Sequence, residues 1–158
     1  PWTVLDSRTL VKDRWIDLRA ETLRDEAGRE LAPYYVLDYP DWVAAVVLTD
    51  DDRLVMVRQW RHGARAWTLE LPAGIIDPGD TDPVAAARRE TLEETGHAAE
   101  EWRYLYAGYG NPAIQNNRLH LVLGTGARAI AATQPDAGEV LGVELVPVDL
   151  EPVARHGL

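Results

Sequence analysis

Three glutamates and one arginine share a short segment of this 158-residue chain, in which Arg89-Glu90 is followed by Glu93-Glu94. The preceding residues are rich in helix formers, so the segment is predicted to be helical. Residues three and four apart lie on one face of a helix, which places Glu90 beside Glu93 and Glu94. Carboxylates this close repel each other, and divalent cations between them would relieve the repulsion. Arg89, four residues before Glu93, is expected to brace Glu93 with a bidentate hydrogen bond.

The loop before this helix helps to decide between a metal site and an ordinary charged surface. Acidic helix faces are usually only solvated, and the glutamates alone would be weak evidence for metal binding. Gly74, however, ends a predicted strand, Asp80 follows six residues later, and the helix then begins. A strand, a glycine-containing loop and an acidic helix in this order would bring backbone carbonyls close to the carboxylates. We therefore predict a site for divalent cations at this junction.

The composition restricts which ligands and metals can bind. Sixteen Lys and Arg residues against 26 Asp and Glu residues give a formal charge of −10 and a pI near 4.8. A surface this acidic disfavours nucleic acid, and it requires cations if a phosphorylated small molecule is to bind. Thiolate ligands are excluded because the chain has no cysteine, and its histidines lack the spacing of a zinc site. The remaining ligands are mainly oxygen atoms, which favour magnesium, manganese or calcium.

The sequence also bears on membranes and location. No apolar run approaches the roughly 20 residues that a membrane-spanning helix needs. The N-terminal residues lack the cationic and apolar segments of a signal peptide. We therefore expect a cytoplasmic protein with no membrane partner.

Alternating hydrophobic patterns and turn residues predict the elements that position the site. Residues 15–24 and 31–39 are expected to form a hairpin, and residues 43–48 and 54–60 a second one. Further strands are predicted at 67–71, 102–108, 118–123 and 140–148. The helix is predicted between Asp82 as N-cap and Gly96 as C-terminal cap, with Pro83 in its first turn. Residues 149–158 are predicted to begin another helix.

Residues 74–97 resemble the signature of the Nudix hydrolases, which runs Gly-x5-Glu-x7-Arg-Glu-(aliphatic)-x-Glu-Glu-x-Gly-(aliphatic). The matching residues are Gly74, Arg89, Glu90, Glu93, Glu94 and Gly96. Residues 70–74, the sequence Arg58-Gln59-x-Arg61 and Pro112 resemble the ADP-ribose pyrophosphatase branch of that family. The similarity covers most of the chain.

The sequence departs from the signature at a few positions. Asp80 replaces the first glutamate, and eight residues rather than seven separate it from Arg89. We expect this insertion to move Asp80 out of the metal shell, while Gly74 permits the tight loop. Thr91 and His97 stand where the family has aliphatic residues.

The resemblance implies roles for the matching residues. Glu90 and Glu94 would bind metal directly, with the carbonyl of Ala73 as a further ligand. Glu93 would bind or orient a cation, and Arg89 would fix the carboxylate array.

The proton acceptor is implied to come from a later acidic loop. Glu139, which follows Gly138, is the first candidate and Asp136 the second, and Glu93 is the fallback. For either loop residue, a solvated carboxylate without a catalytic role is an equally good interpretation.

Further residues are expected to contact the substrate. Arg58 and Arg61 lie on one predicted strand, where we expect them to share a face and clamp phosphates. Glu70 would help to hold the nucleoside, or would only cap the strand end. Trp15 would stack on adenine, although a buried core position is more common for tryptophan. Pro112 would shape the loop opposite the helix, or would only form a turn.

These observations predict an α+β protein with the Nudix fold: an α/β/α sandwich around a mixed β-sheet, with an N-terminal antiparallel extension. Residues 1–40 are assigned to the extension, for dimerisation and substrate contact, and residues 41–158 to the hydrolase domain. The implied reaction is Mg²⁺-dependent hydrolysis of a nucleoside diphosphate derivative, with Mn²⁺ as an alternative ion. ADP-ribose is the first substrate, giving AMP and ribose 5-phosphate, and the enzyme would be a homodimer.

Two alternatives stay open. The same chemistry could act on another nucleotide sugar, such as ADP-glucose or GDP-mannose. The chain could instead be a Nudix-fold sensor that binds a nucleotide sugar without cleaving it. Retention of Glu90, Glu93 and Glu94 favours an enzyme, whereas the altered spacing at Asp80 is the best argument for a sensor.

Overall fold

The computed structural model describes residues 1–134 and 141–148, which form two compact units. The N-terminal unit comprises Pro1–Asp41 together with Ala107–Leu119. The second unit comprises Trp42–Tyr106 and the described residues from His120 onward. The three candidate glutamates of the helix all belong to the second unit.

The N-terminal unit contains a three-stranded antiparallel sheet in the order β1-β2-β3. Its strands are β1 Thr3–Lys12, β2 Asp17–Arg24 and β3 Glu30–Leu37. Asp25 closes the turn between β2 and β3, because its carboxylate accepts the N–H groups of Ala27 and Arg29. Gly28 lies in the same turn with φ of 82°, a left-handed conformation that favours glycine. The predicted first hairpin is confirmed.

The segment 107–119 packs on β3 within the N-terminal unit. The backbone N–H of Leu37 donates to the carbonyl of Ile114 at 2.7 Å, and the Tyr34 hydroxyl donates to the carbonyl of Ala113 at 2.5 Å. The side-chain amide of Asn116 also donates to Asp38 at 2.8 Å. These bonds give the loop around Pro112 a defined conformation.

The second unit is built on a sheet whose central order is β11-β5-β4-β10-β8, with β6 paired to β5, β7 to β4 and β9 to β10. The strands are β4 Trp42–Thr49, β5 Arg53–Arg61, β6 Ala66–Glu70, β7 Ala73–Ile75, β8 His97–Ala98, β9 Glu101–Tyr109, β10 Arg118–Ala129 and β11 Leu141–Pro147. The last residues of β9 (107–109) and the first of β10 (118–119) belong to the N-terminal unit. The predicted second hairpin therefore corresponds to β4 and β5, which pair at Leu48 and Leu54.

Helix α1 spans Pro83–Thr95 and has the predicted caps. The Asp82 carboxylate accepts the N–H of Ala85 at 2.9 Å, which satisfies a donor that the first turn leaves unpaired. Gly96 ends the helix with φ of 68°, and a Cβ there would overlap the carbonyl of Ala131. Both the conformation and the space therefore favour glycine at this position.

The core of the second unit lies between α1 and the sheet. Its fully or almost fully buried members are Val43, Ala45, Val47, Val55, Ala86, Ala87, Val122 and Ala127. Burying each valine contributes about 1.5–3 kcal/mol, and the small helix alanines allow close approach to the strands. Thr91 is also fully buried, and its hydroxyl has no hydrogen-bond partner among the described residues. An aliphatic side chain at this position would avoid the free-energy cost of burying a hydroxyl group without a hydrogen-bond partner.

Two details of the sequence-based prediction are wrong, and one lies outside the described residues. Pro72-Ala73-Gly74 is predicted to end a strand, but Ala73 and Gly74 begin β7 and pair with Ala44 and Val43 of β4. Strands β1 and β8 also lack a predicted counterpart. Within residues 1–134 and 141–148, α1 is the one α-helix, and the helix predicted at 149–158 lies outside this range.

Candidate active site

Strand β7 brings two backbone positions to α1. Pairing with β4 fixes Ala73 opposite Ala44 and Gly74 opposite Val43, and Val43 is fully buried. The carbonyl of Pro72 accepts the N–H of Ala45 at 2.8 Å, which anchors the start of the strand. The loop that follows is therefore held on a rigid part of the sheet.

Glu90 and Glu94 approach this strand from the helix. The Glu94 carboxylate is buried and accepts the N–H of Ala73 at 2.9 Å. The Glu90 carboxylate lies so close to Gly74 that a Cβ on residue 74 would overlap it. A side chain at residue 74 would therefore displace the Glu90 carboxylate from this position, and the structure brings together four of the predicted site residues.

Arg89 forms hydrogen bonds with three carboxylates, one in the loop after β7 and two on the helix. Its Nε and Nη2 donate to the two oxygens of Asp80 at 3.2 and 2.8 Å, and Nη1 donates to Glu90 at 2.7 Å and Glu93 at 3.1 Å. Nη2 also donates to the carbonyl of Ile75 at 2.9 Å. The prediction of a bidentate bond to Glu93 is wrong, because the bidentate fork goes to Asp80 and Glu93 receives one bond.

These contacts shift the pKa values of the groups involved. The hydrogen bond to Arg89 lowers the pKa of Asp80, and the bond to Asp80 is the largest cause of the raised pKa of Arg89. Burial raises the pKa of Glu90 despite the opposing effect of Arg89, and the charges of Glu93 and Asp77 act in the same direction as burial. Glu90 is thus a half-buried carboxylate that one arginine attracts and two other carboxylates repel.

The donor set fits a hard divalent cation that keeps most of its water. No three carboxylate or imidazole groups among the described residues are arranged to hold one metal ion together. Mg²⁺, however, is usually bound through one or two carboxylates, with waters and substrate phosphates completing its shell. Glu90 and Glu94, beside the backbone of Ala73 and Gly74, provide carboxylate oxygens of this kind. The space that Gly74 leaves for the Glu90 carboxylate supports the same assignment.

A second polar cluster lies on strands β5 and β6. Arg61 forms a bidentate fork with Glu70, in which Nε and Nη2 donate to the two carboxylate oxygens at 2.9 and 2.7 Å. The Thr68 hydroxyl lies 2.5 Å from Oε1 of Glu70. The hydrogen bond from Arg61 is the largest cause of the lowered pKa of Glu70. This fork precedes Ala73 by only a few residues along the chain.

Arg58 and Arg61 do not share a face, so this prediction is wrong. Side chains alternate along a strand, and positions three apart therefore point to opposite sides. In the observed register Arg58 pairs with Leu69, and its guanidinium lies 4.8 Å from the Trp67 ring and 3.8 Å from Glu144. Arg58 and Arg61 therefore contact different groups.

The other predicted residues fall outside these two clusters. Trp15 belongs to the N-terminal unit and is 70% exposed, with the Arg14 guanidinium 4.3 Å from its ring. Pro112 is exposed in a turn of the same unit, where the Gln115 N–H donates to Asn111. Substrate contacts for both residues stay predictions.

Glu139 and the alternative base Asp136 lie outside the described residues.

Two residues near the clusters have no role in the sequence-based prediction. Thr68 lies two positions before Glu70, and strand periodicity alone indicates that they share a face.

Asp77 lies in the loop after β7, with a carboxylate oxygen 3.6 Å from Arg89. Its N–H donates to Asp80 at 2.9 Å, which closes the turn that presents Asp80 to Arg89. A turn of this kind is suggested by the sequence Asp77-Pro78-Gly79-Asp80.

Two family models match the chain. The NUDIX domain matches residues 39–156, and the nucleoside diphosphate sugar hydrolase N-terminal domain matches residues 2–37. Because the first match covers most of the chain, the protein belongs to the Nudix hydrolase family, whose members generally depend on a divalent metal ion. The Nudix resemblance inferred from the signature is confirmed.

Individual relatives carry more specific names. An ADP-ribose pyrophosphatase of Bacillus subtilis is 28% identical over 93% of this chain and 80% of its own length. An ADP-ribose pyrophosphatase of Mycobacterium tuberculosis is 32% identical over 84% of this chain, and the methanol dehydrogenase activator of Bacillus methanolicus is 32% identical over 77%. The chain spans 63% and 64% of the lengths of these last two relatives.

A solved structure supports the fold. The crystal structure of an ADP compounds hydrolase matches 92% of this chain and 78% of that chain, with a TM-score of 0.80 and 24% sequence identity. The predicted α+β class and Nudix fold are therefore confirmed. Within the described part of the chain, no helix is long and apolar enough to cross a membrane.

Proposed function

We propose that this protein hydrolyses the diphosphate linkage of a nucleoside diphosphate derivative, with ADP-ribose as the favoured substrate. The observation that carries the proposal is the placement of Glu90 and Glu94 against Gly74 and Ala73 in a chain of the Nudix family. The relatives named ADP-ribose pyrophosphatase support the substrate class. AMP and ribose 5-phosphate are the expected products.

Glu90, Glu94 and the carbonyl of Ala73 would hold the metal, which we propose to be Mg²⁺ with Mn²⁺ as a substitute. A bound cation of this type neutralises phosphate charge and makes a water molecule easier to deprotonate. Arg89 holds Glu90 and Glu93 in fixed positions, so the carboxylates do not need to reorganise during the reaction. Asp80 in turn holds the guanidinium of Arg89.

A water molecule must attack one phosphorus of the substrate, and a protein group must accept its proton. The oxygen of the water then forms the new P–O bond, while the bond between that phosphorus and the bridging oxygen breaks. Glu139 is our first candidate for the proton acceptor, with Asp136 as the second. Glu93 is the fallback, and its side chain is 44% exposed and so reachable by solvent.

Substrate binding would use the fork between Arg61 and Glu70. Its guanidinium can bind phosphate, and its carboxylate can accept hydrogen bonds from the nucleoside. Trp15 is proposed to stack on adenine, which its exposed ring would permit. Pro112 is proposed to shape a loop that faces the substrate.

We further propose a homodimer that forms through residues 1–40, with residues 41–158 as the hydrolase domain. All ten residues of β1 are exposed, although the strand contains Val4, Leu5, Leu10 and Val11. An edge strand of this kind is suited to pairing with a second copy of the chain. We expect no nucleic acid or membrane partner, and the cytoplasmic location stays a prediction.

The function is tested with a panel of ADP-ribose, ADP-glucose and GDP-mannose, incubated with the purified protein and Mg²⁺. We expect ADP-ribose to have the highest kcat/KM and to give AMP and ribose 5-phosphate by chromatography. Faster cleavage of another member of the panel would reassign the substrate. Tight binding of ADP-ribose without cleavage of any member would support the sensor alternative and overturn the enzyme.

A further inference from the structure

Thr68 occupies a defined place beside the fork formed by Arg61 and Glu70. Strands β5 and β6 are antiparallel, with Arg61 opposite Ala66 and Gln59 opposite Thr68. Because side chains alternate along strands, Thr68 and Glu70 lie on the same face as Arg61. The fork itself is accessible, since the side chains of Arg61 and Glu70 are 39% and 30% exposed.

The Thr68 hydroxyl has two acceptors within reach but only one proton to donate. It lies 2.5 Å from Oε1 of Glu70 and 3.1 Å from the backbone carbonyl of Gln59. An ionised carboxylate is the stronger acceptor, and the hydroxyl lies closer to it than to the backbone carbonyl. The proton of Thr68 therefore belongs to the bond with Glu70.

This bond limits the rotation of the Glu70 carboxylate. Oε1 accepts from both Thr68 and Nε of Arg61, while Oε2 accepts from Nη2 of Arg61. Without the hydroxyl, the fork would still form, but the carboxylate and the guanidinium could turn together about their side-chain bonds. A bidentate site depends on the orientation of the guanidinium plane, so such movement weakens ligand binding.

We propose that Thr68 is a positioning residue for the substrate, because its hydroxyl holds Glu70 and, through Glu70, the guanidinium of Arg61. This inference rests on the proposed hydrolysis of a nucleoside diphosphate derivative. Thr68 acts on binding of the substrate rather than on the reacting phosphorus, which the carboxylates of α1 serve.

The test is the Thr68→Val variant, which removes the hydroxyl and keeps the β-branched shape that suits a strand. With ADP-ribose as substrate and saturating Mg²⁺, KM should rise about tenfold, because hydrogen bonds to charged groups are among the stronger ones. The kcat should stay within about twofold of the parent value. Thr68→Ser restores the hydroxyl and should return KM close to the parent value.

Thr49 provides a matched control within the same unit. As for Thr68, its hydroxyl lies near a carboxylate and a carbonyl, those of Asp51 at 2.6 Å and Arg53 at 3.3 Å, and it also accepts the N–H of Arg53 at 3.1 Å. The variant Thr49→Val loses the same kind of bond in the β4–β5 turn and should leave both KM and kcat unchanged. Thermal unfolding of all variants shows whether they are folded at the assay temperature.

The possible outcomes distinguish this inference from the proposed function. An active parent with equal KM values for Thr68→Val and Thr49→Val would overturn the positioning role alone. Equal losses of kcat in Thr68→Val and Thr68→Ser would also overturn it, since the hydroxyl would then be irrelevant. If the parent cleaved no member of the panel of ADP-ribose, ADP-glucose and GDP-mannose, the proposed function would be overturned and, with it, this inference.

Discussion

Two arginines of the second unit differ in how they contact neighbouring carboxylates. Arg89 donates to Asp80, Glu90 and Glu93 and lies 3.6 Å from Asp77, so its single positive charge faces four negative ones. Arg61 forms a bidentate fork with Glu70, in which one guanidinium meets one carboxylate through two parallel hydrogen bonds. The surplus of negative charge around Arg89 favours a bound cation, whereas the bidentate geometry of the fork favours a fixed orientation for binding.

The largest effect is expected at the surplus carboxylates. Glu90→Gln and Glu94→Gln keep the side-chain shape but remove a charge from the proposed metal site. The kcat should therefore fall by several powers of ten, each of which corresponds to about 1.4 kcal/mol of activation free energy. The glutamine at position 94 can still accept the N–H of Ala73. Without metal, both variants should melt no lower than the parent, because a repelling carboxylate has been removed.

Steady-state kinetics and thermal unfolding in a chelator measure both quantities. A variant that loses activity together with several degrees of melting temperature would make these glutamates structural. The excess of carboxylates around Arg89 would then not indicate a metal site.

The next largest effect separates the two arginines of β5. Arg61→Ala removes the fork, and kcat/KM for ADP-ribose should fall by about one to two powers of ten. Arg58→Ala is the control, since Arg58 lies beside Trp67 and Glu144, and it should stay within about twofold of the parent. Equal losses in both variants would restore the expectation that they clamp phosphates together.

Asp80→Asn should have a smaller effect than Glu94→Gln. Asp80 uses both carboxylate oxygens on Arg89, so it acts on the glutamates that we propose as metal ligands only through that guanidinium. We expect kcat to fall by about one power of ten or less, against several for Glu94→Gln. Equal losses would mean that Asp80 belongs to the metal shell despite the inserted residue.

The smallest effect concerns the stability of the protein in acid, to which the fork between Arg61 and Glu70 contributes. The pKa of Glu70 is lowered in the folded state, chiefly by Arg61, so Glu70 stabilises the fold above its unfolded pKa and loses this contribution as pH falls below about 4.5. Urea unfolding at pH 7 and pH 4 should show a larger loss for the parent than for Glu70→Gln, by about 1 kcal/mol or less. Identical losses would contradict the lowered pKa.

Local sequence signals were sufficient to predict the helix and its carboxylates. Asp82, Pro83 and Gly96 act through short-range capping, and the spacing of Glu90 and Glu94 is a property of any α-helix. These features need no knowledge of the rest of the fold. The Nudix signature could be recognised for the same reason, since most of its residues lie on or beside this helix.

Features that depend on strand pairing were harder to predict. Nothing local indicates that Ala73 and Gly74 form a strand, because their pairing requires β4 as a partner. The bidentate partner of Arg89 is Asp80 rather than Glu93, since the loop after β7 folds back on the helix. Strand periodicity alone places Arg58 and Arg61 on opposite faces of the sheet. The prediction that they share a face was therefore an error of reasoning and did not depend on missing information.

The metal requirement of ADP-ribose hydrolysis by the parent protein tests the central claim most directly. After treatment with excess chelator, AMP release should vanish, and it should return when Mg²⁺ or Mn²⁺ is added above the chelator concentration. The Glu94→Gln variant should need more Mg²⁺ for half of its own maximal rate. Full activity of the parent in excess chelator would contradict the assignment of Glu90 and Glu94 as metal ligands.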